Sequence, residues 1–343
     1  MLKFYILLSH PEGFYRHFSR HYSNLSPDQA EVIINTIYPE AERDIIELCE
    51  RYGVCYHVTK SNGTPARGKN ELLQIFENSD NDYCVQIDGD DYLTPHGVWF
   101  YQNVASSPTP PDVICLKEQI ALCKEGEKFE KSKRAVKKFF TASLDSLNYD
   151  ELLKNLKELH VSEEEAKIYV DYHRKYYQLQ SKYCEDDDSH SRVVFMSKKA
   201  TKYRFPEEFV VGEDTIFYYL LKDAHFRGEL IAVCNEEAPA TYIYNQLDGA
   251  GTVWNHSKGF TDWSWMDKFN KKVEEMEKQK LLHEKDLPLI KLFYPMKGAV
   301  LDDLNTAGTY RYETCDKYIN LPANASEECI NAFLKEFGKS IEK

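Results

Sequence analysis

No stretch of this 343-residue chain approaches the ~18 consecutive apolar residues that a membrane-spanning helix requires, so no integral membrane association is expected. The apolar run near the N-terminus, Phe4 to Leu8, is too short for a signal-peptide core and has no small-residue cleavage site after it. The nine cysteines are odd in number and include no C-x-x-C pair, which argues against a disulfide framework and for free thiols in a reducing compartment. A cytoplasmic location is the expectation. Positive charge is also in deficit: 43 basic against 56 acidic residues leave a net charge of −13, which excludes a globally basic nucleic-acid coat but not a local patch. With 42% hydrophobic and 29% charged residues, the chain can bury a sizeable core. Its length suits two domains, or one large domain with an appendage, at roughly 150 residues each.

Strand-like and helix-like patterns alternate over the first ninety residues. Lys3 to Ser9 reads as a buried strand, and Glu12 to Tyr22 as a helix with Phe14 and Phe18 one turn apart. Glu31 to Ile37 is a second strand, stopped by Pro39. Ile45, Leu48, Cys49 and Tyr52 mark one face of a helix over Glu42 to Tyr52, with Gly53 where a C-cap belongs. Val54 to Val58 is a third strand, Lys69 to Asn78 a helix, and Tyr83 to Ile87 a fourth strand. Four such alternations with short links imply a parallel sheet covered on both faces, which binds ligands beyond the carboxyl ends of its strands.

At one of those ends stands Asp88-Gly89-Asp90-Asp91. Three carboxylates in four residues repel one another unless a positive charge sits between them. A hard cation with oxygen ligands suits them, and Mg²⁺ or Mn²⁺ typically shares one or two carboxylates with a phosphate. The alternative is an acidic turn closing a strand. Far downstream, Gly212-Glu213-Asp214 precedes a helix on which Phe217, Leu220 and Leu221 share a face. An acid at a helix start is favoured as a carboxylate by the macrodipole, and can accept a proton from a hydroxyl; a simple helix start is the alternative.

Val85 to Leu93, read as a hydrophobic run followed by D-x-D-D, resembles the metal motif of family 2 GT-A glycosyltransferases, and Val211 to Phe217 resembles their G-E-D segment. Tyr242-Ile243-Tyr244, followed by Gly249 to Thr252, is similar to the family's tyrosine-rich strand and small-residue loop. The resemblance covers roughly residues 1 to 115 and 190 to 256. It implies a GT-A, Rossmann-like α/β core and a metal-dependent, inverting hexosyl- or pentosyltransferase using a UDP-sugar or a similar nucleotide diphosphate sugar. Asp88, Asp90 and Asp91, with His256, then become the expected ligands of Mn²⁺ or Mg²⁺, and Asp214 the expected catalytic base. Ser9, His10, Arg67, Lys69, Asn70, Asp88 and Glu213 are the expected contacts of the nucleotide sugar, although Gly68-Lys69-Asn70 also reads as an ordinary basic helix start. The chain departs from the family where its first strand ends in Ser9-His10-Pro11-Glu12 and its second in Asn35-Thr36-Ile37-Tyr38, without paired aspartates.

This reading places a catalytic domain at 1–256, a helical insertion on the acceptor side at 123–190, and a helical C-terminal region at 257–343. Lys133, Arg134, Lys137 and Lys138, flanked by Phe129, Phe139 and Phe140, could contact an acceptor rich in phosphate; a solvated helix face is the alternative. The acceptor is then a glycan, or DNA bearing hydroxymethylated pyrimidines of the kind that some phage glycosyltransferases modify. Two competing functions remain in view. A nucleotidyltransferase could use the same aspartates, but Ser9 to Gly13 supplies no glycine-rich basic loop; a cation-binding interaction module would leave Gly212-Glu213-Asp214 without a role.

Overall fold

Phe4, Ile6 and Leu8 point to one side of the first strand and Tyr5 and Leu7 to the other, and all five are buried. This two-residue alternation with apolar side chains on both faces demands helices above and below the sheet. The computed structural model describes residues 1–18, 25–116, 120–124, 192–235, 241–245, 264–290, 311–313 and 318–321. The chain runs through β1 (Leu2–Leu8), α1 (Glu12–Phe18), β2 (Ala30–Ile34), α2 (Pro39–Tyr52), β3 (Cys55–Val58), α3 (Pro65–Asn78) and β4 (Tyr83–Asp88). It continues through β5 (Tyr92–Leu93), α4 (Pro95–Ala105), β6 (Val113–Leu116), β7 (Ile120–Lys124), β8 (Val193–Ser197) and α5 (Glu213–Phe226). Then come β9 (Ala232–Asn235), β10 (Tyr242–Asn245), α6 (Ser264–Lys278), β11 (Leu289–Ile290), β12 (Arg311–Glu313) and β13 (Tyr318–Leu321).

Eight strands form the main sheet in the order β11-β9-β6-β8-β4-β1-β2-β3, in which β8 alone runs antiparallel to its neighbours. One face is packed by Phe14 of α1, Ile45 and Leu48 of α2, and Phe100, Tyr101 and Val104 of α4. The other is packed by Leu72, Leu73 and Phe76 of α3, Ile216 and Phe217 of α5, and Phe269, Val273 and Met276 of α6. The α/β class expected from the sequence is the one observed. A second sheet, β12-β13-β7-β10-β5, includes β5, which directly follows the aspartate cluster. No helix among the described residues is long and apolar enough to cross a membrane.

Several boundaries differ from the sequence reading. Strand β2 ends at Ile34, and Pro39 opens α2 rather than only stopping the strand, because proline at the first helical position forfeits no intrahelical bond. Pro65 opens α3 in the same way; Thr64 caps it by accepting a hydrogen bond from the Arg67 amide, so the helix starts four residues before Lys69. Helix α4 has no counterpart in the sequence reading. Within 257–343, the described residues comprise one helix, α6, and three short strands. Apart from the end of β7, the segment 123–190 lies outside the described residues.

Candidate active site

Strand pairing carries the distant parts of the site to the C-terminal end of β4. Leu7 of β1 lies opposite Asp88, so the loops after β1 and β4 open on the same side. Antiparallel pairing of β8 with β4 sets Ser197 opposite Tyr83 and Phe195 opposite Val85, which delivers Arg192, just before β8, to the aspartates. Strand β10 lies against β5, with Tyr242 opposite Leu93. Two glycines of the site show where a side chain does not fit. A Cβ on Gly89 would lie 2.6 Å from the Leu7 carbonyl oxygen, and Gly212, the N-cap of α5, has φ 88° in the left-handed region. The Gly89 carbonyl accepts a hydrogen bond from Arg16 Nη1 at 3.2 Å.

Lys69 is the hub. Its side chain is 2% exposed, and Nζ lies 2.7 Å from Asp214 Oδ1, 3.1 Å from Glu213 Oε1 and 3.7 Å from Asp88 Oδ2. Burial works against the ammonium ion, but Asp214, Asp88 and Glu213 together hold it above the ordinary lysine range. Glu213 is pushed up to about 7, by burial first and by Asp214 beside it, against the pull of Lys69.

The three aspartates have different surroundings. Asp91 is fully buried and both its oxygens are taken: Oδ1 by the Asn245 amide at 3.0 Å, Oδ2 by the Tyr242 hydroxyl at 2.7 Å and by Arg192. Arg192 Nη1 also lies 3.2 Å from Asp88 Oδ2 and donates to the Tyr242 hydroxyl at 2.8 Å, its guanidinium 5.3 and 5.4 Å from the Tyr242 and Tyr244 ring centres. Asp88 is half-buried, and the desolvation would raise its carboxyl, but Lys69 and Arg192 prevail and hold it below the usual range. Its Oδ1 is buried without a hydrogen-bond partner. The Asp90 carboxyl is pushed up to about 8 by burial and by the charges of Asp91 and Asp88.

These surroundings test the fit of a divalent cation. Asp88, Asp90, Asp91, Glu213 and Asp214 supply five carboxyl groups, against two cations, Lys69 and Arg192. An orphaned Asp88 Oδ1 and an Asp90 carboxyl that burial and like charge drive to protonate are the groups a cation would relieve. The residues fit a cation held by two carboxylates and completed by ligand phosphates, the usual Mg²⁺ arrangement. Among the described residues, no group of three His, Cys, Asp or Glu side chains is arranged to hold one unaided.

Of the other residues expected at the site, Ser9 and His10 are exposed at the end of β1, with the His10 ring 6.0 Å from that of Tyr38. Arg67 turns away to Glu71 at 2.7 Å and Glu207 at 3.4 Å. Asn70 holds the backbone of Phe205 through both its amide nitrogen and its oxygen, at 2.9 and 2.8 Å. Both line a separate cavity of about 620 Å³ between α3, α5 and α6, which does not contain the aspartates. His256, Lys133, Arg134, Lys137 and Lys138 lie outside the described residues. Sequence reasoning missed Arg192 and Asn245. Neither belongs to a local motif; the one available signal for Arg192 was its place directly before the apolar run Val193 to Met196.

No protein-family model matches the chain, and no curated protein sequence matches it. Among solved structures it is similar to S. aureus TarS 1-349, at 12% identity over 71% of this chain and 60% of that one, with a TM-score of 0.41. The same protein in complex with UDP-GlcNAc gives 12% identity over 74% and 60%, with a TM-score of 0.42. In complex with UDP it gives 12% over 81% and 72%, with a TM-score of 0.40. The chain thus spans about 60% of the length of the first two of these solved chains.

Proposed function

We propose that this chain is a GT-A-type glycosyltransferase that moves a sugar from a nucleotide diphosphate sugar to an acceptor hydroxyl with inversion. The observation that carries the reading is the convergence on Lys69 of two motifs far apart in sequence: Asp88, at the end of β4, and Glu213-Asp214, at the start of α5. Neither a strand-closing turn nor a simple helix start accounts for that meeting. Asp90 and Asp88 Oδ1 would hold Mn²⁺ or Mg²⁺, and the bound cation supplies electrostatic stabilisation of the leaving diphosphate. Asp91, saturated by Arg192, Tyr242 and Asn245, keeps the turn in place. Asp214 accepts the proton of the acceptor hydroxyl as its oxygen bonds to the anomeric carbon, while the bond to the diphosphate oxygen breaks and its electron pair leaves with the nucleotide.

Thermal-shift titration with nucleotide diphosphates and sugar nucleotides, UDP-sugars first, with and without Mn²⁺, tests the donor half. Expected is metal-dependent stabilisation by one sugar nucleotide, about 2.7 kcal/mol at a hundredfold excess over Kd, which Asp90→Ala abolishes. No response to any nucleotide would remove the assignment. The acceptor is a glycan hydroxyl or a hydroxymethylated pyrimidine in DNA. A DNA acceptor requires affinity that falls steeply with salt, so a flat salt response excludes it.

A further inference from the structure

Asp214 can serve as a base only if one oxygen faces the acceptor and the carboxylate does not rotate. Its side chain is 21% exposed, and among the described residues Oδ1 takes the Lys69 hydrogen bond while Oδ2 has no partner. Lys69 itself has no freedom to wander. It is buried within α3, its second hydrogen bond goes to Glu213, its charge faces Asp88, and the Phe205 ring lies 5.5 Å from Nζ. Phe205 is in turn stacked on Phe217 of α5 at 3.9 Å and has its backbone held by Asn70, the residue after Lys69. The ammonium ion is therefore fixed by packing from α3 and α5 together; its hydrogen bonds go to α5, and its ion pair with Asp88 at 3.7 Å faces the end of β4.

We propose that Lys69 is a positioning residue for glycosyl transfer, which selects Asp214 Oδ2 as the proton acceptor and sets the distance between that base and the donor site at Asp88. The proposal rests on the glycosyltransferase reading and replaces the expectation that Lys69 contacts the nucleotide. With its side chain 2% exposed and its hydrogen bonds given to Asp214 and Glu213, Lys69 acts through these acids rather than on a reactant. Through it, the acid that takes the acceptor proton and the acid beside the leaving diphosphate share one rigid cation. Its removal frees Asp214 to rotate and leaves Asp88 with more uncompensated negative charge, so catalysis falls without a loss of donor binding.

The test is steady-state kinetics of Lys69→Met and Lys69→Arg, alongside calorimetric titration of the sugar nucleotide with Mn²⁺. Lys69→Met is expected to lower kcat roughly a hundredfold, the scale of a misplaced reacting group, while donor affinity stays equal to wild type or tightens. Lys69→Arg, which retains the charge, is expected to recover part of that loss. A folded Lys69→Met enzyme with wild-type kcat overturns the proposal, and so does a parallel loss of donor affinity, which would make Lys69 a nucleotide contact. Should Lys69→Met fail to fold, Lys69→Met combined with Glu213→Gln removes a buried charge together with its partner, and the same split is expected. Failure of the underlying reading looks different: the wild-type protein then shows no sugar-nucleotide turnover at all.

Discussion

The Tyr242 hydroxyl donates a hydrogen bond to Asp91 Oδ2 at 2.7 Å, joining two buried groups 151 positions apart. With Arg192 on the same oxygen and the Asn245 amide on the other, Asp91 is a strut between β10, β8 and the turn after β4. Asp90, one residue earlier, accepts from Asn245 Nδ2 only at its backbone carbonyl, and no such hydrogen bond holds its carboxyl among the described residues. The two adjacent aspartates should therefore respond oppositely to truncation. Asp91→Ala leaves Arg192 with Asp88 as its carboxylate partner but strips the acceptor from the buried Tyr242 hydroxyl and Asn245 amide, and should lower stability by about 1–3 kcal/mol in urea unfolding. Asp90→Ala removes a carboxyl that its neighbours repel and should unfold at or above the wild-type midpoint. Equal midpoints for Asp91→Ala and wild type would refute the strut.

The same contrast sets a pH dependence. The Asp90 carboxyl sits at about 8 in the fold, against about 3.9 in an unfolded chain, so the folded state holds its proton more tightly. That contribution to stability is complete below about pH 4 and is lost as pH rises through about 8. Glu213, at about 7, adds a term of the same sign. In chelator, Tm should fall across this window, and Asp90→Asn should flatten part of the fall. Because a cation requires the ionised form, Mn²⁺ binding near pH 7 should release protons. Calorimetry in buffers of different ionisation enthalpy measures that release; zero release would remove Asp90 from the ligand set.

Asp214→Asn keeps the size and the first-turn position of the side chain and removes its ability to take a proton. Transfer should fall by at least about a hundredfold, the usual contribution of a positioned general base. Donor affinity with Mn²⁺ should persist, since Asp88 and Asp90 are untouched. Retained transfer would move the base elsewhere.

The parts of this molecule legible in its sequence are those set by local periodicity. The apolar run of β1, the α2 stripe with Gly53 as its C-cap, and Phe269, Val273 and Met276 of α6 declare their elements because burial repeats every two or every three to four residues. The aspartate turn was legible because it ends such a run. Arg192 was not: its place depends on the antiparallel docking of β8 on β4, a pairing no local pattern encodes. The partners of Lys69 were hidden for a similar reason, since side chains on either side of it took opposite courses. Arg67 and Asn70 reach the 205–207 segment, while Lys69, between them, faces the carboxylates. A helix start offers several directions, and only the packing of α5 against α3 chooses among them.

Gly89 offers a test of how closely the cation site depends on backbone approach. A Cβ there would meet Leu8 Cδ2 at 2.4 Å and the Leu7 carbonyl oxygen at 2.6 Å. The leucine methyl can turn aside. The carbonyl cannot, because it accepts the Gly89 amide at 2.9 Å within the β1–β4 pairing. Gly89→Ala must therefore push the turn away from β1, at a cost of about 1–3 kcal/mol. The displacement falls on Asp88 and Asp90, on either side of it, whereas Lys69 and Asp214 remain joined through α3 and α5. Mn²⁺ affinity measured by calorimetry should drop with the stability, and wild-type affinity in a destabilised Gly89→Ala protein would place the cation away from this turn.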